Sequence, residues 1–418
     1  MRLAVVALNA YPAIEPTAGT IIGGLETFAW SLARALARDP QTQVQFVVRH
    51  TSTPSQRIVD DVELFCDVER LRSIRLAVSR AVEVTAGAPW LRIKRFHPEL
   101  LWQIPVLALS KLAGPRPALT TRIEQLIRAA NPAAVLTLGV GDGTAATVKA
   151  ALQLGIPSWI WVQSNADLEE RLFVDANYVD PHGVTGLIAR ASFQAQGILC
   201  QTRWQQTQVR KLLQRESVVI PNPVDGDRFQ RGDSSPQSRQ EVLWIGRFDR
   251  HHKRPHLALE VARLCPGIPF RCVINSGDPD VEAEIRSSCP SNVTLTDYIP
   301  GNAMPTAFRS SRLFLSTGSN AFEGFPNVLL EAAASGTPIV SLEEFDGFLE
   351  RSGAGTSSGG DVERLAARVR EMWPMSPQWQ ADSQAGAEYV RREHTLDHCV
   401  RRFLEVVSST SPALPVLF

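Results

Sequence analysis

The stretch Glu323-Gly-Phe-Pro-Asn-Val-Leu-Leu-Glu331, followed by Ala-Ala-Ala-Ser-Gly336, places two carboxylates on either side of a predicted helix start. Pro326 suits the first helical position, where a missing N–H costs little, and Gly336 suits the helix end. The backbone N–H groups around Phe325 and Asn327 lack partners within such a helix and, with the helix dipole, can bind an anion. Glu331 lies about one turn further in, so its carboxylate can accept hydrogen bonds from a diol attached to that anion. The segment can therefore bind a diphosphate with a sugar at each end, as in a nucleotide sugar; the alternative is an amphipathic helix with two solvated glutamates.

Length and composition set broad limits on the protein. A chain of 418 residues exceeds one compact core, so two domains of roughly 200 residues are expected. The 43 basic and 43 acidic residues cancel, which argues against a nucleic-acid-binding protein. The six cysteines are scattered and indicate neither a disulfide framework nor a zinc site. No apolar run approaches the ~18 residues that a membrane span needs, and Met1–Leu8 is too short for a signal peptide. We therefore expect a cytoplasmic protein, either free or peripheral at the inner face of the membrane.

The hydrophobic pattern alternates short β-branched runs with longer helical ones, which predicts parallel α/β architecture. The predicted elements of the first half are strands at 3–8, 44–48, 134–138, 158–162, 197–200 and 218–220, and helices at 25–37, 119–130 and 143–153. A second block has strands at 241–245, 270–275, 293–295, 313–316 and 338–341, with a helix at 256–263. Between the blocks, Ile220–Phe229 and the polar stretch Gln230–Gln240 have the proline and glycine content of a linker.

Two other segments carry groups suited to phosphate. The glycines Gly23 and Gly24, in the run that begins at Gly19, follow the first strand and open a helix, where the backbone can approach an anion closely. In Trp244-Ile-Gly246-Arg247-Phe-Asp-Arg-His-His-Lys253, a planar guanidinium and an ammonium follow a strand. Fixed cations there would stabilise a departing diphosphate more than the intact donor. A plain strand-to-helix turn and a solvated basic loop are the alternatives.

Together these motifs resemble the retaining GT-B glycosyltransferases of family 4, in which the Glu-x7-Glu element, the Gly-Arg…Lys element, the Gly-Gly loop and a Pro-Asn-Gly-Val-Asp linker occur in this order. The resemblance implies two Rossmann-like doubly wound domains that face each other across a cleft. It places an N-terminal acceptor-side domain over residues 1–217, with a returning helix in 395–418, and a C-terminal nucleotide-sugar-binding domain over 218–394. Lys253 stands six positions after Arg247, where most relatives have five.

The resemblance also assigns residues. It places Arg247, Lys253 and Glu323 at the reacting groups, with Glu331 on the nucleotide ribose and loops near Tyr298 and Ile299 on the base. The remaining donor-binding residues that it implies are Gly23, Gly24, Gly246, Gly277, Gly324, Phe325, Pro326 and Asn327. Gln163 stands where many relatives have a histidine, and Asp167 where some have an aspartate, so both are candidates for the catalytic set. A polar loop that satisfies its own backbone is the alternative for these two.

No metal or cofactor is expected. Asp225-Gly-Asp227 and Asp278-Pro-Asp280 imitate a metal motif of a different glycosyltransferase fold, but cations and helix ends already supply the charge that an ion would bring. The pair His251 and His252 has no acidic or cysteine partner in register. Residues 90–112 mix Arg92, Lys94 and Arg95 with large apolar side chains. This segment is either a core helix with a basic rim, which Pro98 and Pro105 favour, or an interfacial segment on anionic lipid.

The predicted function is transfer of a sugar from a nucleoside-diphosphate sugar to an acceptor hydroxyl with retained anomeric configuration. The acceptor would be a sugar, a glycan or a lipid-linked glycan, in glycan, glycolipid or polysaccharide biosynthesis. The alternative is a catalytically impaired nucleotide-sugar-binding protein of the same fold, because Gln163 cannot act as an acid or base and Lys253 is shifted.

Overall fold

The computed structural model describes residues 1–15, 23–84, 91–112, 117–231 and 238–409. The chain divides into two compact units. Among the described residues, the first comprises those up to Trp159 together with Gln194–Gln196, and the second comprises Ile160–Phe193 and the chain from Gly197 to Ser409. The predicted boundary near residue 217 stays a prediction.

The first unit is built on a largely parallel sheet. Its strands are β1 (Arg2–Val6), β2 (Gln43–His50), β3 (Ile58–Val59), β4 (Val62–Val68), the hairpin β5 (Val82–Val84) and β6 (Leu91–Ile93), and β7 (Ala134–Leu138). Its helices are α1 (Tyr11–Ile14), α2 (Gly24–Ala37), α3 (Arg72–Ala81), α4 (Leu100–Leu112), α5 (Leu119–Ala130) and α6 (Asp142–Leu154). The strand order is β7-β1-β2-β4-β3, and only β3 in this series runs antiparallel to its neighbour. In β1, Leu3 to Val6 are all buried, as expected for a strand covered on both faces.

The strand β8 (Ser158–Trp161) crosses the boundary between the two units. The second unit continues with α7 (Glu170–Val174), α8 (Gly186–Ser192), β9 (Gly197–Cys200), α9 (Arg203–Leu213) and β10 (Val218–Val219). Then follow β11 (Val242–Arg247), α10 (Pro255–Arg263), β12 (Phe270–Asn275), α11 (Pro279–Ser287), β13 (Val293–Thr296), α12 (Met304–Ser310) and β14 (Leu313–Ser316). The last elements are α13 (Asn327–Ala334), β15 (Ile339–Ser341), α14 (Phe348–Ser352), β16 (Gly355–Ser357), α15 (Val362–Met372), α16 (Pro377–Glu393) and α17 (Leu396–Ser409).

The main sheet of the second unit is six-stranded and parallel, in the order β13-β12-β11-β14-β15-β16. Successive side chains of a strand point to opposite faces, and each face has its own apolar cluster. Val242 and Trp244 of β11 lie in one cluster, and Leu243 lies in the other. The carboxyl ends of parallel strands meet at one edge of a sheet, where ligands of such folds bind. Arg247, the loop after Asn275 and the loop after Ser316 therefore lie at one edge.

The predicted linker and the predicted returning helix both have contacts within the second unit. In the predicted linker, the Val224 N–H donates to the His394 carbonyl (2.8 Å), and Val224 forms a parallel bridge with Thr395. On α17, the Phe403 ring stacks on the Trp161 ring with centroids 6.1 Å apart. The residues that follow α16 are thus fixed to residues that lie far earlier in the chain.

Among the described residues, no helix is both long and apolar enough to span a membrane. The six cysteines are all free thiols.

Candidate active site

Lys253 and Glu323, which lie 70 positions apart, meet at the strand-end edge of the second unit. The Lys253 Nζ lies 2.5 Å from Glu323 Oε2. Glu323 is only 8% exposed, and within the described residues its other oxygen, Oε1, is buried without a hydrogen-bond partner. A buried polar atom without a partner costs free energy, so this atom is suited to accept a ligand hydroxyl.

Arg254 fixes the loop that carries Glu323 through hydrogen bonds and an ion pair. Its backbone is left-handed (φ 50°) at the start of α10, and its Nε donates to the Thr317 carbonyl at 2.7 Å. Its guanidinium also pairs with Glu343 at 2.7 Å, and Glu343 accepts the Asn320 N–H at 2.7 Å. The Thr317 hydroxyl donates to the Lys253 carbonyl at 2.7 Å. Arg254 therefore has a structural role, and Lys253 is the cation that faces Glu323.

Arg247 ends β11 and is half-exposed. Its guanidinium pairs with Asp249 at 2.8 Å, and Asp249 Oδ1 also accepts the backbone N–H groups of His251 (2.8 Å) and His252 (2.6 Å). Burial opposes ionisation of Asp249, but the hydrogen bonds and charge of His252 and the charge of Arg247 hold its pKa well below the usual range. His252 stands five positions after Arg247, so Asp249 holds the residue at which most relatives carry the lysine.

Two predicted glycines fit places with no room for a side chain. A Cβ on Gly246 would lie 2.3 Å from the Trp244 ring and 3.0 Å from the Lys253 Cβ. A Cβ on Gly277 would lie 2.2 Å from the Phe248 carbonyl oxygen. The ends of β11 and β12 are thus packed backbone to backbone, which brings their loops close to the Lys253 segment.

The start of α13 differs from the sequence prediction in two details. Pro326 caps the helix and Asn327 is its first residue, so the helix begins one position later than expected. The Phe325 N–H, which was expected to be open to an anion, donates to Gln201 Oε1 at 3.0 Å. A Cβ on Gly324 would lie 2.3 Å from that same Gln201 oxygen. The expectation of a free Phe325 amide was wrong, because a glutamine 124 positions earlier occupies it.

Glu331 lies one turn into α13 and is partly buried. Loss of solvation raises its pKa to about 7, although the charges of Arg228 and Lys253 act in the opposite direction. Hydrogen bonds donated by a ligand would therefore stabilise the ionised Glu331 carboxylate more than they would stabilise an exposed one.

Gln163 and Asp167 form a polar loop that contacts the Glu323 loop. Asp167 Oδ2 accepts the backbone N–H groups of Gln163 and Ser164, both at 3.1 Å, and completes a capping box on a short 3-10 helix. Ser164 forms an antiparallel bridge with Glu323, and Gln163 Oε1 accepts from Gln201 Nε2 at 3.0 Å. The polar-loop alternative thus describes these contacts, and a catalytic role for either residue stays a prediction.

The predicted base-binding residues differ in exposure. Tyr298 is 62% exposed, whereas Ile299 is 8% exposed and packs in an apolar cluster. Asp297, where relatives usually carry glycine, pairs with Arg286 at 2.5 Å.

Gly23 and Gly24 belong to the other unit, where Gly23 precedes α2 and Gly24 is its first residue. Gly19 lies outside the described residues. The role of this loop on the donor phosphates stays a prediction.

The two aspartate motifs have structural roles. Asp278 caps α11 by accepting the Asp280 N–H at 2.8 Å, and Asp225 accepts the Arg228 N–H at 3.1 Å. In the part of the chain that the structure describes, no three His, Cys, Asp or Glu side chains group together as a metal site would require.

The sequence analysis missed residues whose partners are distant in the chain. Gln201 links Gln163 to Phe325, and Asn222 Nδ2 donates to Asn327 Oδ1 at 2.8 Å.

Two further contacts act through charge or ring packing. The charge of Arg228 lowers the pKa of Glu331, and the His182 ring lies 5.0 Å from the His252 ring. Asn222 and Arg228 flank the Pro-Val-Asp turn that the family resemblance had singled out. No local pattern marks Gln201 or His182.

Comparisons with known proteins agree with this geometry. Residues 239–373, which contain Arg247, Lys253, Glu323 and Glu331, match the family model described as glycosyl transferases group 1. This part of the chain is thus similar to a group 1 glycosyltransferase domain. A curated relative, a phosphatidyl-myo-inositol mannosyltransferase of Mycobacterium leprae (strain TN), is 26% identical over 203 residues. That match spans 46% of this chain and about half (52%) of the relative.

Solved structures resemble the chain over nearly its whole length. A sucrose-phosphate synthase from Thermosynechococcus elongatus has a TM-score of 0.67 at 12% identity, with 98% of each chain covered. A variant of S. aureus TarM, solved with UDP among its ligands, has a TM-score of 0.69 at 11% identity, with 98% of this chain and 100% of TarM covered. Anabaena HepE, solved with UDP-glucose, has a TM-score of 0.65 at 12% identity, with 98% and 100% covered. These likenesses confirm the predicted α/β GT-B fold, in which the glycosyltransferase domain is one part.

Proposed function

We propose that the protein is a retaining glycosyltransferase that moves a sugar from a nucleoside-diphosphate sugar to an acceptor hydroxyl. The observation that carries the proposal is the Lys253–Glu323 pair in the glycosyltransferase domain, with Glu323 Oε1 buried and unpartnered. An ammonium suits the donor diphosphate, and a carboxylate with a free acceptor position suits a sugar hydroxyl. The ammonium and the carboxylate lie side by side, so they could contact the phosphate and the sugar on either side of the bond that breaks.

In the proposed reaction the bond between the anomeric carbon and the diphosphate oxygen breaks, and a bond from that carbon to the acceptor oxygen forms. The acceptor proton goes to a donor phosphate oxygen. Negative charge grows on the diphosphate as it leaves, so Lys253 and Arg247 contribute more in the transition state than in the ground state. The Lys253 ammonium has three N–H donors, so Glu323 and a phosphate oxygen share it when the donor binds. A sugar hydroxyl on Glu323 Oε1 would compensate the carboxylate for the charge that it then shares.

Transfer or hydrolysis of a nucleotide sugar by the purified protein tests this function. We expect release of UDP or GDP from one member of a panel of nucleotide sugars. The release should persist in excess EDTA, because Arg247 and Lys253 can supply the positive charge of a divalent metal ion. The panel is screened first by thermal shift, since a bound ligand raises the melting temperature. A strict requirement for a divalent cation would contradict the metal-independent form of the proposal. Nucleotide-sugar binding without any turnover, across acceptors and in water, would favour the catalytically impaired alternative.

We further propose that the acceptor is lipid-linked and that α4 brings the cytoplasmic protein to the inner face of the membrane. The preferred core-helix interpretation of residues 90–112 fits only part of α4: Leu100 is buried, but Leu101 (72%), Leu109 (62%) and Trp102 (50%) are exposed. Phe96, in the preceding turn, is 63% exposed. Arg92, Lys94 and Arg95 lie beside these side chains in the chain. Apolar side chains next to cations suit a surface of anionic lipid. The name of the curated mannosyltransferase, which includes a phospholipid, is consistent with this class of acceptor.

Replacing Leu101 and Leu109 together by glutamate should abolish sedimentation with vesicles that contain phosphatidylglycerol. Each apolar side chain contributes about 1.5–3 kcal/mol when it leaves water, so the loss should exceed ~10-fold in partition coefficient. Leu187→Glu, at an equally exposed leucine (62%) on α8, is the matched control and should sediment like the wild type. Wild-type protein that stays in the supernatant with these vesicles would remove membrane contact from the proposal.

A further inference from the structure

A cavity of about 300 Å³ lies next to the start of α13, within the second unit, and no residue of the Lys253–Glu323 pair lines it. Its floor includes the buried residues Asn222, Phe348 and His394, and exposed residues such as Arg203 and His398 lie at its rim. It shares only Phe325 with the predicted donor-binding residues. The cavity is therefore distinct from the proposed donor site.

Asn222 supplies an unused acceptor in this cavity. It is only 1% exposed, and its Nδ2 donates to Asn327 Oδ1 at 2.8 Å, so the orientation of the amide is fixed. Its Oδ1 is buried and accepts no hydrogen bond within the described part of the chain. The backbone is fixed as well, because the Asn222 carbonyl lies 2.7 Å from His394 Nδ1. A buried acceptor without a donor costs free energy, which a ligand hydroxyl would recover.

Aromatic rings form much of the cavity wall. The rings of Phe325 and His394 are stacked at 6.2 Å between centroids, and the rings of Phe348 and Tyr389 meet edge to face at 6.0 Å. Burial lowers the pKa of His394, so its imidazole is neutral at physiological pH. Such a wall suits a ligand with an apolar face and a few polar groups at its edge.

The charges around the cavity balance. Arg203 and Arg351 are opposed by Asp346 and Glu393, which all line it. Asp346 Oδ1 accepts the Arg203 N–H at 3.0 Å, and Asp346 Oδ2 lies 3.5 Å from the Arg351 guanidinium. An anionic ligand would gain little from a lining of zero net charge, whereas a ligand with several hydroxyl groups can both donate and accept here.

We propose that this cavity binds a neutral monosaccharide or polyol, at a site separate from the donor site. A volume of about 300 Å³ lies at the lower end of the usual range for ligand pockets, which favours one sugar ring over an oligosaccharide. The ring would lie against Phe348, with a hydroxyl on Asn222 Oδ1 and others on Arg203, Glu393 and the Tyr389 hydroxyl. The site goes beyond the proposed transfer reaction, and its test needs no turnover.

Binding of D-glucose, D-mannose and D-galactose to the Glu331→Ala variant, measured by saturation-transfer NMR and calorimetry, tests the proposal. Glu331→Ala removes a contact to the nucleotide and does not touch the cavity, and the cavity variants below decide whether the sugar that binds occupies the cavity. We expect saturable binding of at least one sugar with a Kd in the millimolar range. Arg203→Ala and Tyr389→Phe, each introduced into this background, should weaken it at least ~5-fold, which corresponds to one lost hydrogen bond.

Lys211→Ala is the matched control, because Lys211 is exposed on the same helix as Arg203 and does not line the cavity. It should leave the Kd unchanged. Melting temperatures check that each variant is folded, and the exposed Arg203 provides a test even where Tyr389→Phe unfolds. Failure of all three sugars to bind saturably, or an unchanged Kd in both cavity variants, would overturn the proposal. A sugar phosphate that binds more than tenfold tighter than its parent sugar would overturn the neutral class of ligand.

Discussion

Lys253→Ala should lower the kcat/KM of sugar transfer at least ~100-fold, since the loss of one positioned group that stabilises growing negative charge costs about 3–4 kcal/mol in a transition state. The effect should fall mainly on kcat, because the charge on the diphosphate grows only as the sugar leaves. Steady-state kinetics with the nucleotide sugar identified by thermal shift would measure it. Arg250→Ala is the matched control: Arg250 stands in the same loop, is half-exposed and pairs with the exposed Glu284. It should keep transfer within ~3-fold of the wild type, as expected for a surface ion pair.

Lys253→Ala has a second effect that must be separated from the first. It leaves Glu323 buried and without its cation, and an unpaired buried charge is destabilising by about 3–5 kcal/mol. The double variant Lys253→Ala/Glu323→Gln removes that charge and should recover most of the melting temperature without recovering transfer. Recovery of both stability and transfer would show that Lys253 acts only by neutralising Glu323. Transfer at the wild-type rate in Lys253→Ala itself would exclude Lys253 from the reaction.

Glu331→Gln should change stability and nucleotide binding in opposite directions. Burial raises the Glu331 pKa to about 7, above its ordinary value of 4.5, so the fold favours the neutral form. The destabilisation is absent below the unfolded pKa, develops as pH rises and is complete above the folded pKa. At pH 8.5 glutamine should therefore stabilise the ligand-free protein by about 1–2 kcal/mol, a figure reduced for partial exposure, and at pH 4.5 by almost nothing.

The nucleotide should bind with the opposite pH dependence. Ribose hydroxyls donate hydrogen bonds to the ionised carboxylate, so UDP or GDP should bind more tightly as pH rises through 7. In Glu331→Gln the affinity should fall about 10- to 100-fold at pH 8, because hydrogen bonds to a charged group contribute about 1.5–3 kcal/mol. Calorimetry at pH 6 and pH 8 measures the affinities, and Glu388→Gln, an exposed glutamate on α16, is the control. A variant that is less stable than the wild type at pH 8.5, or that binds UDP equally well, would contradict this account of Glu331.

Local pattern predicted the arrangement of the elements well. The helix α5 and the strands β7, β12 and β14 occupy the predicted residues, because short runs of mostly buried apolar side chains mark the strands and a clear helical period marks the helix. The helix α16 escaped prediction: its sequence is mostly polar, and few of its positions, such as Trp379 and Val390, carry large apolar side chains to the core. The segment before α5 was predicted less well. Its helical pattern was hard to interpret because Pro105 lies inside α4 and interrupts the periodicity.

Site residues were predictable only where the family resemblance named them, and their contacts were not. Nothing near Phe325 indicates that Gln201 takes its N–H, and nothing near Glu331 indicates how strongly the site desolvates it. The first contact joins residues 124 positions apart, and the second effect depends on burial in the folded chain. The pairing of Lys253 with Glu323 likewise follows from the order of β11 and β14 in the sheet, which spacing along the chain does not reveal.

The bond between Lys253 and Glu323 has a consequence for the end of the catalytic cycle. A nucleoside diphosphate without its sugar shares the Lys253 ammonium with the buried Glu323 carboxylate and brings that carboxylate no hydroxyl. The product thus competes with the protein's own counterion, whereas the intact donor also supplies a hydroxyl to Glu323. The nucleoside diphosphate product should therefore dissociate readily. UDP or GDP should inhibit the enzyme less strongly than the diphosphate that each shares with the donor would suggest.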